Sequence, residues 1–203
     1  MAKANFKRVT SPLGEALYPY LKAPEVYEGE EVGYTIQVKF SKEDTDKVLA
    51  ILEEELESAK NSSEFKGKRW SKGPRMGFRE DQNGDIVFKF KTKATITTKA
   101  GDVVKRTVPV FDAKGKPVDV TIGNGSVVRV AFQIVPYWKS STNNGLSLYL
   151  DAVQVIELVE YKGGGNASAF GFGEEEGFVG GEDSPFNDED AVTSGDVSPD
   201  EEF

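Results

Sequence analysis

Basic and aromatic side chains able to contact an anionic ligand are concentrated in residues 60–79. This segment holds seven Lys or Arg residues against a single acidic residue, Glu64. It also contains three aromatic residues, Phe65, Trp70 and Phe78. Positive charges can follow a phosphate backbone while rings stack on unpaired bases, each stack contributing ~1–3 kcal/mol. The segment therefore predicts a surface for single-stranded nucleic acid; the alternative is a solvated loop whose rings fill the core.

The chain contains no histidine and no cysteine among its 203 residues. Histidine is the usual general base and the commonest metal ligand, and cysteine supplies nucleophiles, disulfides and zinc ligands. Most enzyme classes are therefore excluded, and neither a cofactor nor a metal ion is expected. A carboxylate-only nuclease dependent on Mg²⁺ stays open as an alternative, although no Asp/Glu pair in residues 1–162 stands out from ordinary surface charge.

Charge is distributed unevenly along the chain. The formal net charge of −9 combines 25 basic with 34 acidic side chains. All the basic residues and 22 acidic ones lie in residues 1–162, which carry about +3, whereas residues 163–203 carry twelve acidic residues and no basic ones. We expect a folded domain over 1–162 and a flexible acidic tail over 163–203, joined by the hinge Gly163-Gly164-Gly165.

A polyanion tethered to a slightly cationic domain predicts that the domain binds an anionic ligand and that the tail competes for the same surface. Five phenylalanines are spaced among the tail's acids, and the chain ends in Asp200, Glu201, Glu202 and Phe203. This pattern favours a docking peptide, because a ring beside carboxylates resembles a base beside its phosphate. One alternative is a tail that only keeps the protein soluble. Another is an acidic protein whose tail mimics DNA and sequesters a basic partner.

The spacing of apolar residues predicts a mainly β domain with one helix. Ser41 followed by Asp44, with apolar residues at helical spacing beyond them, predicts an amphipathic helix over residues 43–60. Asn83-Gly84 is typical of a hairpin turn, and the proline-rich residues 11–24 are expected to be extended with turns. Alternation of apolar and polar residues indicates strands over residues 34–40, 86–96, 102–110, 126–135 and 146–161.

Short strands, frequent turns and one helix fit a small Greek-key barrel, and the oligonucleotide-binding (OB) fold is the barrel that presents a groove to single strands. A β-sandwich is the alternative. In the strand over residues 86–96, Phe88, Phe90 and Ile96 are expected to face the core. Lys89 and Lys91 are expected on the opposite face, where they contact phosphates or protect the sheet from edge pairing.

Several pieces of the sequence together resemble the single-stranded DNA-binding proteins of T7-like bacteriophages. In chain order the pieces are Ser11-Pro12-Leu13-Gly14, Tyr18-Pro19-Tyr20, Phe88-Lys89-Phe90-Lys91, Val135-Pro136-Tyr137-Trp138-Lys139, Leu148-Tyr149-Leu150, Val155-Ile156-Glu157-Leu158, Gly163-Gly164-Gly165 and the acidic tail closing on Phe203. The match extends over most of the chain, and the order of the pieces is more specific than any one of them.

The resemblance implies an OB-fold barrel with an added helix and a disordered acidic tail, which binds single-stranded DNA without catalysis during DNA replication, recombination and repair. It also implies a homodimer in the cytoplasm of the infected bacterial host. The tail would contact the phage DNA polymerase and helicase-primase. Independently, residues 1–8 lack the apolar run of a signal peptide and no stretch of ~20 apolar residues occurs, so a soluble cytosolic protein without membrane contact is expected.

We therefore interpret the chain as a non-catalytic, sequence-tolerant protein that binds single-stranded DNA. The candidate stacking residues are Tyr137, Trp138, Tyr149 and Trp70, although each tyrosine is equally open to a place in the core. The candidate phosphate contacts are Lys68, Arg69, Lys72, Arg75, Lys89, Lys91 and Lys139. The tail's partner-binding residues are those of its terminus, Asp200 to Phe203.

Overall fold

The computed structural model describes residues 6–97 and 101–160, and β-strands account for most of its regular structure. In chain order the elements are β1 (Lys7–Thr10), β2 (Gly14–Tyr27), β3 (Glu30–Phe40), α1 (Lys42–Asn61), β4 (Phe78–Glu80), β5 (Ile86–Thr92), β6 (Thr95–Thr97), β7 (Val103–Lys105), β8 (Val110–Phe111), β9 (Val127–Ser140) and β10 (Asn143–Glu157).

Five of these strands close into a barrel. β2 pairs with β3, β3 with β5, β5 with β10 and β10 with β9, and β9 returns to β2. The β5–β10 pairing is parallel and the other four are antiparallel. β1 extends the sheet beyond β9, β8 lies beside β10, and β4 pairs with β5. The chain thus has the predicted OB-fold Greek-key barrel, with α1 as the added helix.

The barrel core is built from alternate residues of its strands. Ile36 of β3, Phe88 and Phe90 of β5, and Phe132 of β9 are almost completely buried. The rings of Phe90 and Phe132 lie 4.9 Å apart between centroids, so they join opposite walls of the barrel. Each fully buried side chain of this size contributes ~1.5–3 kcal/mol to stability. Because successive side chains of a strand point to opposite faces, the residues between these buried positions point outward.

Helix α1 confirms the amphipathic pattern of its sequence. Ser41 caps its first turn, since the Ser41 hydroxyl accepts the backbone N–H of Asp44 at 3.2 Å. A hydrogen bond from the same hydroxyl holds the pKa of the Asp44 carboxyl below its usual value, so this carboxylate stays charged at the positive end of the helix. Val48, Leu52 and Leu56 are buried against the barrel. The observed bounds extend the predicted ones by one residue at each end.

Two strand predictions are corrected. β5 ends at Thr92 and the chain leaves the barrel there, so Ile96 lies in the separate β6–β7 hairpin and is 42% exposed instead of buried. The single strand expected over residues 102–110 is divided into β7 and β8, with Pro109 before the latter. Residues 11–24, which are expected to be extended with turns, agree with the structure, because Gly14 and the residues after it belong to the long extended strand β2.

The expected tail over residues 163–203 lies outside the described part of the chain. The domain boundary near residue 162 and the function of the tail therefore stay predictions. Within residues 6–97 and 101–160, the single α-helix is too polar to pass for a segment that crosses a membrane.

Candidate nucleic-acid interface

Outward-facing side chains of β3, β5 and β10 form a polar and basic surface on the barrel. The register places Gln37 opposite Lys89 and Thr35 opposite Lys91. On the other side of β5, Lys91 is the neighbour of Tyr149 on β10. The lysines alternate with the buried phenylalanines of β5, as the sequence predicts. In OB folds the second and third barrel strands, here β3 and β5, carry the oligonucleotide-binding face.

A groove of about 260 Å³ opens on this surface. Its walls carry four cations and two aromatic residues, contributed by Arg75, Arg79, Lys89, Lys91, Phe78 and Tyr137. Apolar parts of Leu146 and Leu148 contribute to the same lining. We call this site the basic groove. It brings together four residues that the sequence analysis proposes as DNA contacts but that lie in three separate segments of the chain.

The loop over residues 62–77 is fastened to the barrel by Asn144, which is almost completely buried. The Asn144 side-chain oxygen accepts hydrogen bonds from the backbone N–H and the hydroxyl of Ser71, at 3.2 and 3.0 Å. Its amide nitrogen donates to the carbonyl of Ser140 at 2.8 Å. The backbone of Arg75 bonds to Asn144 and Leu146 at 3.0 and 2.7 Å. Arg75 is therefore held as if it belonged to a short strand beside β10.

Gly145 permits this close approach. A Cβ atom built on Gly145 would lie 1.9 Å from the carbonyl oxygen of Arg75, and the residue has φ +148°. Any larger residue would push the Arg75 backbone away from β10, and an L-residue would be strained at this φ. Gly77 also permits a close approach, since a Cβ atom built on it would lie 2.7 Å from Leu148 Cγ.

The cations of this surface differ in how far carboxylates neutralise them. Lys89 forms an ion pair with Glu25 at 3.0 Å. Lys39 pairs with Asp85, whose hydrogen bond raises the pKa of the Lys39 ammonium group. By contrast, no ion pair is found for Arg75 or Lys91 within residues 6–97 and 101–160, and both side chains are exposed. These two charges are available to an anionic ligand.

The two tryptophans have different environments. The Trp138 indole N–H donates to the carbonyl of Arg69 at 3.0 Å, and the Lys68 ammonium group lies 4.5 Å above the ring centroid. Trp70 packs against the core and meets Phe65 edge-to-face at 5.5 Å. The Trp70 indole N–H is buried with no hydrogen-bond partner in the described structure. Its position favours the alternative in which an aromatic residue of the loop fills the core.

Tyr149 lies beside Lys91, and its ring is covered by Arg106. The Arg106 guanidinium carbon lies 5.2 Å from the ring centroid, and one of its N–H groups donates to the Tyr149 hydroxyl. No sequence pattern singles out Arg106, because this contact spans 43 residues and depends on the path of the β6–β7 hairpin. Arg79 belongs to the basic segment of residues 60–79, but only the β4–β5 pairing places it in the groove.

The remaining predicted phosphate contacts lie outside the basic groove. Lys68, Arg69 and Lys72 are exposed on the loop over residues 62–77, and Lys139 is exposed on β9 next to Trp138. They extend the positive surface from the groove along the loop and the β9–β10 turn. The four predicted tail residues, Asp200 to Phe203, lie beyond the described part of the chain.

A closed five-stranded barrel with cations on the outer face of its second and third strands, and with tyrosines on the neighbouring strands β9 and β10, defines an OB-fold protein. A comparison with protein families identifies it further. The family described as "Single-stranded DNA-binding protein, Bacteriophage T7" matches residues 31–158. The chain belongs to this family.

Two relatives and one solved structure support the assignment. The chain is 30% identical to the single-stranded DNA-binding protein of Enterobacteria phage T3 over 190 residues, which covers 80% of this chain and 82% of that protein. It is 29% identical to the corresponding protein of Escherichia phage T7, covering 81% and 80%. The crystal structure of the T7 protein superposes with a TM-score of 0.62 at 28% identity, covering 87% of this chain and all of that one.

The single-stranded DNA-binding protein of bacteriophage Enc34, solved in complex with single-stranded DNA, has a TM-score of 0.54. Its identity is 15%, and the alignment covers 77% of this chain and 89% of that one. At this identity the similarity concerns the fold alone.

Proposed function

We propose that this chain binds single-stranded DNA without sequence preference and without catalysis, and that the strand lies in the basic groove. The observation that carries the proposal is the convergence of Arg75, Arg79 and Lys91 with Tyr137 on one face of the barrel. In this arrangement the cations contact successive phosphates while the ring stacks on a base. Family membership supports the proposal, because the T3 and T7 relatives are named single-stranded DNA-binding proteins.

The composition of the groove explains why binding would tolerate any sequence. Arg and Lys side chains contact phosphates, which are the same in every nucleotide, and an aromatic ring stacks on the π-face that every base has. Charge contacts of this kind release counterions, so affinity should fall steeply with salt. The exposed cations of the neighbouring loop would add to this dependence without adding base recognition.

We further propose that the protein acts in phage DNA replication and recombination, as a homodimer in the cytoplasm of the bacterial host. The acidic tail would compete with DNA for the basic groove and, once displaced, recruit the phage DNA polymerase and helicase-primase. Support comes from the opposition of charge between the groove and the twelve acidic residues after Gly163. The ring of Phe203 beside the carboxylates of Glu201 and Glu202 would imitate a base with its phosphate.

A fluorescence titration tests the proposed function. Trp138 lies next to Tyr137, so adding an oligo-dT strand to the full-length protein should quench tryptophan emission, and duplex DNA of the same length should do so far less. Raising the salt concentration should reverse the quenching. If neither the emission nor the mobility of the oligonucleotide changes at low salt, the chain does not bind single strands. The alternative of an acidic protein that sequesters a basic partner would then be preferred.

A further inference from the structure

The Arg106 guanidinium group lies over one face of the aromatic ring of Tyr149 in the described structure. The Arg106 guanidinium carbon lies 5.2 Å from the ring centroid, and an N–H group of the same guanidinium donates to the Tyr149 hydroxyl. Trp138 is covered in the same way by Lys68 at 4.5 Å. Two of the four rings proposed to stack on bases are thus each occupied by a cation, which is attracted to the negative face of the ring.

Arg106 belongs to a part of the molecule with few other attachments to the barrel. The β6–β7 hairpin forms a two-stranded sheet of its own, separate from the eight-stranded sheet. The Arg106 N–H bonds to the carbonyl of Ala94 at 2.7 Å, so this residue closes the base of the hairpin. An isolated two-stranded hairpin is marginally stable at best. Its position therefore depends on contacts at its base, among them the Arg106 side chain on Tyr149.

We propose that Arg106 is a strand-contacting residue that changes partners: in the free protein it covers Tyr149, and when single-stranded DNA binds it moves to a phosphate. The face of Tyr149 then becomes available to a base. This inference rests on the proposed function and deepens it, since it adds Arg106 to the strand-binding surface and assigns the β6–β7 hairpin as the arm that follows the bound strand.

This change of partners is favourable because the contact between Arg106 and Tyr149 is replaced by two contacts with the DNA strand. Arg106 gives up a ring and a neutral hydroxyl and gains a phosphate, to which a guanidinium donates through two parallel N–H groups. Tyr149 gives up a cation and gains a base, with which it stacks whatever the sequence. Lys91, the neighbour of Tyr149 on β5, brings a second positive charge to the same position and would hold the phosphate within reach.

The position of Arg106 can be followed by NMR in the full-length protein. The ring current of Tyr149 should shift the Arg106 Nε–H signal, which is assigned by its disappearance in Arg106→Lys. The Tyr149→Leu variant gives the unshifted reference. On saturation with oligo-dT, the signal in the wild-type protein should lose its ring-current shift and move towards a phosphate-bonded value. A signal that keeps its shift at saturation would overturn the proposal.

Salt dependence provides a second measurement. If Arg106 contacts a phosphate, Arg106→Gln should reduce the slope of log affinity against log salt by about 0.7 to 1. Arg129→Gln is the matched control. Arg129 is exposed on β9 and pairs with Gln154. It lies four residues before Gln133, the β9 residue that pairs with Tyr149. Equal slopes for Arg106→Gln and wild type would contradict the proposal. If the wild-type protein does not bind oligo-dT at all, the proposed function itself fails.

Discussion

The ammonium group of Lys89 lies 3.0 Å from Glu25 Oε2, although Glu25 belongs to β2 and the basic groove is carried by other strands. The Thr35 hydroxyl donates to the same carboxylate oxygen at 2.9 Å, so Glu25 is held in place from two sides. Its side chain retains 22% exposure. One of the four cations of the groove is therefore already paired with an anion before any ligand arrives.

Replacing Glu25 by Gln should strengthen the binding of single-stranded DNA at low salt. The substitution leaves Lys89 without its competing carboxylate, and an exposed ion pair of this kind is worth ~0.2–1 kcal/mol, which corresponds to at most about a fivefold gain. The gain should disappear at high salt, where both interactions are screened. The measurement is fluorescence titration with oligo-dT at two salt concentrations.

Glu54→Gln provides the matched control for that experiment. It removes the same charge from an ion pair, with Lys7 at 3.5 Å, but on helix α1. If both variants gain affinity equally, the effect comes from net charge alone and Glu25 has no specific influence on the groove.

Tyr137→Ala should weaken DNA binding by ~1–3 kcal/mol if the ring stacks on a base. Tyr137→Phe keeps the ring and should bind as wild type does. Tyr20→Ala removes a tyrosine that is 44% exposed elsewhere on the barrel and should have no effect. Unchanged affinity in a folded Tyr137→Ala variant would mean that this ring is not a stacking platform.

Gly145→Ala should destabilise the protein by ~1–3 kcal/mol and also weaken DNA binding. The added methyl group would meet the Arg75 carbonyl at 1.9 Å, so the loop that carries Arg75 would have to move away from β10. Gly73→Ala changes a glycine of the same loop that has no neighbour within 4 Å, and it should leave the free energy of unfolding unchanged. Urea denaturation of both variants compares them directly. Equal stabilities would show that the approach of Arg75 to β10 is not tight.

Removing residues 163–203 should strengthen DNA binding at low salt, if the acidic tail competes for the basic groove. The gain should shrink as salt rises, because both sides of the competition are screened. The circular dichroism spectrum of the truncated protein should show that the barrel and the helix are still folded. Equal affinities of the full-length and truncated proteins at low salt would rule out competition by the tail.

Much of the fold can be predicted from the sequence, because local patterns determine it. The alternation in β5 separates buried Phe88 and Phe90 from outward Lys89 and Lys91 without knowledge of the partner strands. The helix follows from its Ser41 cap and apolar spacing in the same way. The prediction is wrong at Ile96, because the pattern does not reveal that the chain leaves the barrel after Thr92.

The contacts of the candidate site are harder to predict because they join residues far apart in sequence. Glu25 and Lys89 are 64 residues apart, and their contact depends on irregular pairing of β2 with β3 between Tyr20 and Glu25. Both tryptophans stand next to a basic residue in the sequence, Trp70 after Arg69 and Trp138 before Lys139. Only the packing of the loop distinguishes the tryptophan against the core from the one on the surface.

Photochemical cross-linking tests most directly whether the strand lies in the basic groove. An oligo-dT strand with 5-iodouracil at single positions would be irradiated with the full-length protein, and the modified residues identified by mass spectrometry. Tyr18 and Tyr20 are 54% and 44% exposed and line a different cavity, so they report unspecific contact. If the strand lies in the basic groove, cross-links should form at Tyr137, with further ones at Tyr149 or Trp138. Cross-links confined to Tyr18 and Tyr20 would contradict this position of the strand.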